Sequence, residues 1–300
     1  MRCRRTSVGV HKNLYTLLYL LTLALLLNTE DKSRSLLDDF HKNGIFLDDH
    51  HVSRNEHAPT LQKNRKSVCF VTTSYANSPK LTDQLVDMSG ASNRFRYYLF
   101  TNFHDNQWKT PGWQKITTQF LYRRRITHSR YGKFLSWKYK EIRANCQAVF
   151  YMDSSNLPVM NDTLWTNLAT TISQMEPGLM QMQHPTNNRS GIFSELYDII
   201  AAQKDYRLNI EKTIRWLKRQ PDYEEATTIY LNQLFGYDPC SPIYQRVSNA
   251  FWEHYSLELD SWRDQPLWAF MLHRYNVSPI PFPVSKDELW TSPKSRYGQR

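Results

Sequence analysis

Glycine is scarce in this 300-residue chain, which has only 9 of them. Neither GxGxxG nor GxxxxGK[ST] occurs anywhere in the sequence. Those patterns build the tight, phosphate-binding turns of dinucleotide-binding domains and P-loop NTPases. Their absence argues against both of these classes.

Cysteine is also rare, and its spacing argues against a zinc site. The four cysteines are Cys3, Cys69, Cys146 and Cys240, and no two of them form a CxxC pair. Paired cysteines at short spacing are the usual signature of structural zinc. Cys3 precedes an apolar segment, so three cysteines remain for the rest of the chain. One disulfide with one free thiol is possible, and the sequence does not select the pair.

The composition is that of a globular protein with an aromatic excess and a basic balance. Hydrophobic residues make up 40% and aromatic residues 14%, and the formal net charge is +10. A chain of this length can bury one sizeable core or two small ones. A basic balance suits phosphates, nucleic acid or anionic surfaces. Part of the charge belongs to the N-terminus and part to solvated helix faces.

An apolar run lies close to the N-terminus. Residues 14–27 read LYTLLYLLTLALLL and follow the basic stretch MRCRRTSVGVHK. A full span needs about 20 residues, and about 17 is within the range for thin bilayers. A cleavable signal peptide is the alternative, but no small-x-small cleavage site follows, which favours an uncleaved anchor. Residues 1–13 would then be a cytosolic tail, and the rest would be luminal in the Golgi or ER as a single-pass type II protein.

The stretch after the anchor has the composition of a stem. Residues 28–66 are rich in charge, His and Asn, with short apolar patches. Three N-x-[ST] sequons follow, at Asn161, Asn188 and Asn276. In a luminal chain these are usable glycosylation sites, which agrees with the anchor.

Residues 67–284 alternate strand-like runs with helical patterns. The strand-like runs are SVCFVTT (67–73), RYYLFT (96–101), WQKITT (113–118), AVFYMD (148–153) and GLMQMQ (178–183). A helix is predicted over 133–145, and the pattern becomes helical after residue 190, with Leu196, Ile199 and Ile200 on one face and Ser241–Pro242 at a helix start. The alternation predicts an α/β domain over 67–284 with a helix-rich C-terminal half. Residues 285–300 are assigned to a C-terminal tail.

The strand 148–153 runs into Asp153. In open α/β sheets, ligands lie beyond the carboxyl ends of the strands. A carboxylate there can hold a divalent metal that bridges a nucleotide diphosphate, or it can accept from a ribose hydroxyl. A lone Asp at this place is also typical of a helix N-cap or a turn.

Six segments, taken together with their order and spacing, resemble the segments of a known protein family. They are SVCFVTTSY, RYYLFTN, RITHSRYGKFLSWKY, VFYMDSSNLPVMNDTLW, QHPTNNRSGIFSE and SWRDQPLWAFMLHRY. From about residue 67 to 284 the chain resembles nucleotide-sugar glycosyltransferases with a GT-A fold. It is most similar to a glycosyltransferase-like family long described as a domain of unknown function, with plant members linked to wall and mucilage polysaccharides. The resemblance implies a Rossmann-like mixed sheet flanked by helices.

The resemblance also implies an activity and a cofactor. The activity would be transfer of a hexosyl or pentosyl group from a nucleotide-sugar donor to a glycan or glycoconjugate acceptor. Most relatives carry DxD at the strand end, whereas this chain has Asp153 and Ser155. The implied cofactor is Mn²⁺ or Mg²⁺ at Asp153. A single carboxylate makes a weaker site for a hard cation than two do, although Ser155 could add a hydroxyl or act through water.

Two basic residues upstream of Asp153 match the family pattern. Arg130 and Lys133 would neutralise the donor diphosphate as it leaves. The same stretch also carries other basic residues that suit a solvated helix face: Arg123, Arg124, Arg125 and Lys138. Nucleic acid is not an expected partner, because a luminal chain does not meet it.

Two further clusters match the family pattern. His184, Arg189 and Glu195 would lie near the donor sugar or the acceptor. The alternatives are a packing histidine and a first-turn acid behind Ser194 as N-cap.

Arg263, Asp264 and Gln265 form the second of these clusters. Asp264 would be the general base that deprotonates the acceptor hydroxyl. It also suits the N-cap of a helix with Pro266 in its first turn.

Two other functions stay open at the level of sequence. One is a non-catalytic luminal glycan-binding relative, in which the missing second acid marks lost metal chemistry. The other is a membrane-anchored hydrolase with Asp264 and Glu195 as its acids. Binding of UDP or GDP separates the transferase from both.

Overall fold

The structure is a computed structural model, and it describes residues 66–82, 85–119, 122–184, 191–225 and 227–291. The predicted anchor at 14–27, the predicted stem up to residue 65, Asn188 and Arg189 lie outside these ranges. Within the described ranges, no helix combines the length and the apolar character that a membrane span requires.

A six-stranded mixed sheet forms the centre of the described chain, in the order β3-β2-β1-β4-β7-β6. The strands of the described ranges are β1 (Ser67–Ser74), β2 (Arg96–Thr101), β3 (Gln114–Thr117), β4 (Cys146–Met152), β5 (Leu157–Pro158), β6 (Leu179–Gln183), β7 (Tyr230–Tyr237) and β8 (Trp290–Thr291). Strands β5 and β8 form a separate two-stranded sheet. Strands β3, β2, β1 and β4 are parallel. Strand β7 is antiparallel to both β4 and β6, so β6 runs in the same direction as β4.

Helices cover both faces of this sheet. They are α1 (Arg125–Leu135), α2 (Lys140–Asn145), α3 (Asp162–Gln174), α4 (Ile192–Ala201), α5 (Arg207–Leu217), α6 (Pro242–Tyr255), α7 (Asp264–Arg274) and α8 (Lys286–Leu289). The predicted α/β class, with a mixed sheet flanked by helices and many helices in the C-terminal half, is therefore confirmed.

The pleat of the strands divides the core in two. Successive side chains of a strand point to opposite faces, so Phe70 and Phe150 point to one core while Val71 and Tyr151 point to the other. Helix α3 covers the first face. Helices α1, α6 and α7 cover the second, where the large rings are Phe134, Phe251 and Trp268.

The five predicted strands are confirmed, but the helical pattern predicted after residue 190 did not include β7. That strand is covered on both faces, which removes the polar–apolar alternation by which an exposed strand is recognised. The helix predicted over 133–145 is also corrected. Helix α1 already begins at Arg125, and a 3₁₀ turn (Ser136–Lys138) separates it from α2.

Ser241 was predicted as a helix N-cap, and N-cap roles for Ser194 and Asp264 were alternatives to the functional roles of Glu195 and Asp264; the structure confirms the cap at Ser241. Ser241 caps α6, since its Oγ accepts from the Tyr244 N–H at 3.2 Å. Ser194 is not an N-cap, because α4 begins at Ile192. Asp264 is the first residue of α7 rather than its cap, and its carboxylate is engaged by two cations instead.

The folded unit continues past the predicted boundary at residue 284. Strand β8 pairs with β5, and Leu289 and Trp290 are buried in the core that also holds Trp165. The apolar side chains of residues 289–290 thus belong to the domain and not to a solvated tail.

The structure selects the disulfide that the sequence leaves open. Cys69 on β1 is bonded to Cys146 on β4, across 77 residues of sequence. Cys240 is a free, exposed cysteine. The bond therefore joins two neighbouring parallel strands at the centre of the sheet.

Candidate functional site

The strand order creates a topological switch point at the carboxyl ends of β1 and β4. The chain leaves β1 for β2 and β3 on one side and then returns to β4 on the other side of β1. In open α/β sheets, a ligand crevice forms outside the carboxyl ends of the strands at such a point. Asp153 directly follows β4, so it lies at this crevice, as the sequence predicts.

Asp153 is held at the strand end by its backbone and its side chain. Its N–H donates to the Gln233 carbonyl of β7 at 3.1 Å. Its Oδ1 accepts from the Tyr151 hydroxyl at 3.0 Å. Burial and the nearby Asp153 charge raise the pKa of Tyr151, so this tyrosine stays a proton donor. The Asp153 carboxylate is half-buried, which leaves part of it open to a ligand.

Helix α1 carries the two predicted cations and lies close against the sheet. The Ser129 and Thr73 hydroxyls are 2.7 Å apart and link α1 to β1. Gly132 permits the close approach, since a Cβ there would lie 2.7 Å from Cγ2 of Thr73 and 2.9 Å from Cβ of Phe100. The neighbouring Lys133 is thereby buried against the sheet.

Asp264 joins both cations in a buried ion triad. Its Oδ2 lies 2.9 Å from Lys133 Nζ and 3.2 Å from Arg130 Nε. Burial alone would raise the pKa of Asp264, but the charges of Arg130 and Lys133 outweigh it and hold the pKa well below its ordinary value. Asp264 therefore stays ionised. Burial lowers the pKa of Lys133, and the charge of Asp264 opposes that effect.

Tyr151 connects this triad with Asp153. Lys133 Nζ lies 4.8 Å from the centroid of the Tyr151 ring, whose hydroxyl donates to Asp153. The charge of Asp153 also acts on both Arg130 and Lys133. Four predicted residues from three segments that are distant in sequence thus form one electrostatic cluster together with Tyr151. We call it the β4-edge cluster: Arg130, Lys133, Tyr151, Asp153 and Asp264.

A network of buried polar side chains contacts Asp264. Asn232 Nδ2 lies 3.4 Å from Asp264 Oδ2, and Asn232 Oδ1 accepts from Gln181 at 2.6 Å. Gln181 Oε1 in turn accepts from the Trp268 indole at 3.0 Å. Asn232, Gln181 and Trp268 are all buried, so this chain of hydrogen bonds fixes the side-chain orientations.

The loop before α7 sets the position of α1. The carboxylate of Glu258 accepts from the backbone N–H groups of Arg123 and Arg124 and from the Thr127 hydroxyl at 3.0, 2.7 and 2.6 Å. These donors lie at the start of α1, where backbone N–H groups lack partners within the helix. The same loop is anchored by Asp205, which accepts from the Ser261 hydroxyl at 2.7 Å. One loop therefore ties the first turn of α1 to the start of α7.

The neighbours of Asp264 in sequence are also held in place. Gln265 Nε2 donates to the Tyr230 carbonyl at the start of β7, at 2.8 Å. The guanidinium of Arg263 lies 5.3 Å from the centroid of the Trp262 ring, and its charge contributes to the lowered pKa of Asp264.

The other predicted site residues lie on other segments. Ser155 is exposed in the turn after Asp153. His184 follows β6, where its N–H donates to the Ile229 carbonyl at 2.9 Å. Strand β6 is two strands from β4, and His184 pairs with β7 further along its length than Asp153 does, so the two residues are not brought together. Glu195 is in the first turn of α4. Arg189 is outside the described ranges.

Three functional candidates were not identified from the sequence: Tyr151, Gln181 and Asn232. The last two are polar residues within otherwise apolar strands, in LMQMQ and YLNQLFGY. A polar side chain on a buried strand needs a buried partner, and this is the signal that could have indicated them.

A cavity of about 210 Å³ lies near the strand end. One of its lining residues, Val86, donates its N–H to the carbonyl of Ser154 at 3.2 Å, one residue after Asp153. The lining combines an indole, a carboxylate and an ammonium with apolar side chains: Thr82, Leu85, Val86, Asp87, Trp108, Lys109, Thr110 and Pro111.

No family model matches this chain, and none of the curated proteins matches it. Function is therefore inferred from the side chains at the switch point.

The side chains at Asp153 fit a divalent cation poorly. In the described ranges, no three His, Cys, Asp or Glu side chains are grouped so that they could hold a metal ion. The charge of Asp153 acts on Lys133 and Arg130, and the carboxylate of Asp264 is paired with those same two cations. We therefore derive no chemical step through Mn²⁺ or Mg²⁺.

Proposed function

We propose that this protein is a glycosyltransferase that moves a sugar from a nucleotide-sugar donor to a glycan or glycoconjugate acceptor in the secretory pathway. The supporting observation is the β4-edge cluster at the switch point. There a half-buried carboxylate and two buried cations meet at the carboxyl end of the sheet.

The chemistry of transfer suits these charges. The acceptor hydroxyl oxygen bonds to the anomeric carbon while the bond from that carbon to the phosphate oxygen breaks. The nucleoside diphosphate leaves with the electron pair, and the hydroxyl proton passes to a base. Arg130 and Lys133 would stabilise the charge that develops on the diphosphate, because preorganised cations in a water-poor site need little reorganisation.

The nucleoside part of the donor is assigned to the cavity beside Ser154. Its indole, Trp108, offers a ring for stacking, and Asp87 offers an acceptor for a base or ribose donor. The carboxylate of Asp153, one residue before Ser154, would accept from a sugar hydroxyl.

Asp264 suits a positioning role more than that of a base. A carboxylate whose pKa is held low by two buried cations takes up a proton poorly. Its role as the general base, and that of Glu195 as the alternative, stay predictions. In the role proposed here, Asp264 holds Arg130 and Lys133 in fixed orientations for the donor.

The proposed compartment is the Golgi or ER lumen. The Cys69–Cys146 disulfide favours an oxidising compartment. The sequon residues Asn161 and Asn276 are exposed. Asn161 also caps α3 through Oδ1, and a glycan on Nδ2 would leave that bond in place. Anchoring through residues 14–27 completes the proposed type II topology.

Nucleotide binding by the full chain tests this function. UDP, GDP and a panel of nucleotide sugars are screened by calorimetry and by slow hydrolysis of the donor. We expect one nucleotide to bind and Lys133→Met to weaken it at least about tenfold, because a charge-assisted hydrogen bond is lost. Lys140→Met is the matched control, since Lys140 is exposed on α2. Failure of every nucleotide to bind would contradict the proposal.

A second candidate is a non-catalytic glycan-binding protein of the same fold. Ser155 in place of an acid, together with the low proton affinity of Asp264, favours it. Such a protein would bind oligosaccharides on a glycan array and would ignore UDP and GDP. The hydrolase alternative would likewise need no nucleotide.

A further inference from the structure

The side chains around Asp153 differ from those of a metal-dependent site in number and in charge. A hard divalent cation takes six or more oxygen ligands and favours carboxylates. Asp153 supplies one carboxylate, and its Oδ1 already accepts from the Tyr151 hydroxyl at 3.0 Å. Ser155, at the position of the second acid, would supply a neutral hydroxyl and is exposed. The donor set at this strand end is therefore weak for Mn²⁺ or Mg²⁺.

The β4-edge cluster, which contains Asp153, already includes two positively charged side chains. The Lys133 side chain is 3% exposed and the Arg130 side chain 12%, so both cations are fixed inside the protein. Lys133 Nζ lies over the Tyr151 ring that carries the hydrogen bond to Asp153. Coulomb interactions are stronger in such a low-dielectric interior, so a divalent cation at Asp153 would be repelled by both side chains.

The ion triad gives these cations a fixed orientation. Asp264 compensates part of their charge at 2.9 and 3.2 Å, and Arg263 adds a third positive charge near it. A diphosphate at the strand end would lie near these positive charges and near the carboxylate of Asp153.

We propose that this site binds the donor diphosphate without a divalent cation, with Lys133 and Arg130 supplying the charge that a metal would otherwise bring. The inference rests on the proposed function and specifies how its donor site works. In this proposal, the ammonium of Lys133 and the guanidinium of Arg130, both on α1, take the place of the metal that a second acid at position 155 would help to bind.

Substitution of Asp153 distinguishes a metal-dependent from a metal-free site, because it changes the affinity for a diphosphate in opposite directions. In a metal site, Asp153→Asn removes a ligand and weakens binding of a diphosphate. In a metal-free site, the same change removes a negative charge beside the phosphates and strengthens binding, by about three- to tenfold. Asp153 is half-buried and lies outside the ion triad, so this variant leaves the fold intact.

The experiment uses the full chain in detergent, with inorganic pyrophosphate and UDP or GDP as probes. Binding is measured by calorimetry in EDTA and again in millimolar Mn²⁺. We expect affinities within about twofold of each other in the two conditions, tighter pyrophosphate binding by Asp153→Asn, and at least about tenfold weaker binding by Lys133→Met. Lys140→Met should match the parent.

The possible failures are distinguishable. Nucleotide binding that needs Mn²⁺, with loss on Asp153→Asn, overturns the metal-free site and leaves the transferase proposal standing. Pyrophosphate binding in EDTA without binding of any nucleotide supports the anion site and overturns the transferase proposal. Absence of binding by either probe overturns both. Thermal melts of each variant show whether a loss comes from unfolding.

Discussion

At the scale of single residues, Asp264 determines the charge balance of the candidate site. The residue is 4% exposed, and its carboxylate neutralises two buried cations. Removing one partner of a buried ion pair leaves an uncompensated charge in the interior, which costs about 3–5 kcal/mol. A helix cap, the role that the sequence suggested, would contribute only about 0.5–2 kcal/mol.

Asp264→Asn should therefore lower the free energy of unfolding by about 3–5 kcal/mol, measured by denaturant titration. The double variant Asp264→Asn/Lys133→Met should recover part of the loss, because one of the two uncompensated cations is gone. Asp222→Asn is the control, since Asp222 pairs with Arg274 at a half-exposed site and should cost less than about 1 kcal/mol. A loss below about 1 kcal/mol for Asp264→Asn would show that the triad does not stabilise the fold.

A buried histidine on α1 gives the protein a predictable pH dependence. His128 is 3% exposed, and its Nε2 accepts from the Tyr122 N–H at 2.9 Å. Burial lowers the pKa of His128 from 6.5 to about 4, while Glu258 opposes this shift. The folded state thus prefers the neutral ring. Because the unfolded chain binds the proton first, stability is full above pH 6.5 and falls as the pH drops towards 4.

In His128→Gln, the melting temperature should depend less on pH between pH 6.5 and 4 than in the parent. The reason is that Gln keeps an acceptor for the Tyr122 N–H and does not titrate. The parent should lose roughly 1–3 kcal/mol over this window. His273→Gln, at a partly exposed histidine, should keep the slope of the parent. Equal slopes for the parent and His128→Gln would assign the pH dependence to other groups.

At the scale of elements, α1 connects the sheet with the site. Its first turn is held by Glu258, its middle by the contact between Ser129 and Thr73, and its last part carries Lys133. The position of the two cations therefore depends on how closely α1 packs on β1 and β2. Gly132 controls that distance, since a methyl group there would overlap Thr73 and Phe100.

Gly132→Ala should lower stability by about 1–3 kcal/mol from overpacking, against a gain of up to about 1 kcal/mol from helix propensity. It should also weaken diphosphate binding, because α1 moves away from the strand ends. Gly90→Ala is the matched control, since a Cβ at that exposed position meets nothing within 4 Å. An unchanged affinity and melting temperature for Gly132→Ala would mean that α1 tolerates the shift. Denaturant titration and calorimetry measure both quantities.

At the scale of the whole molecule, the disulfide closes a large loop. Cys69 and Cys146 enclose β2, β3, α1 and α2 between two central strands. Cross-linking a loop of 77 residues restricts the unfolded chain, and the chain-entropy relation gives an upper value of about 4.5 kcal/mol for it, of which measured disulfides commonly deliver less.

The double variant Cys69→Ala/Cys146→Ala should lower the free energy of unfolding by about 2–4 kcal/mol, measured in denaturant. Cys240→Ser should change it by less than about 0.5 kcal/mol, because that thiol is free and exposed. Without reduction, maleimide should label Cys240 and spare Cys69 and Cys146. Labelling of Cys69 in the unreduced protein would contradict the bond.

The amino-acid sequence by itself determined the local features of this protein. The strand SVCFVTT, the strand that ends at Asp153 and the helix start at Ser241–Pro242 were predictable because each depends on neighbouring residues. The placement of Asp153 beyond a carboxyl end followed from the same local pattern.

Tertiary structure alone decided which distant residues meet. Strand β7 was not predicted, because burial on both faces removes its alternation, and the partner of Cys69 was not predictable from spacing. Asp264 shows the reason most directly. The pattern around it suits a helix cap, but it lies 2.9 Å from Lys133, a residue 131 positions away on α1. A buried carboxylate binds the nearest cation, and the packing of α1 against α7 and the sheet determines which cation that is.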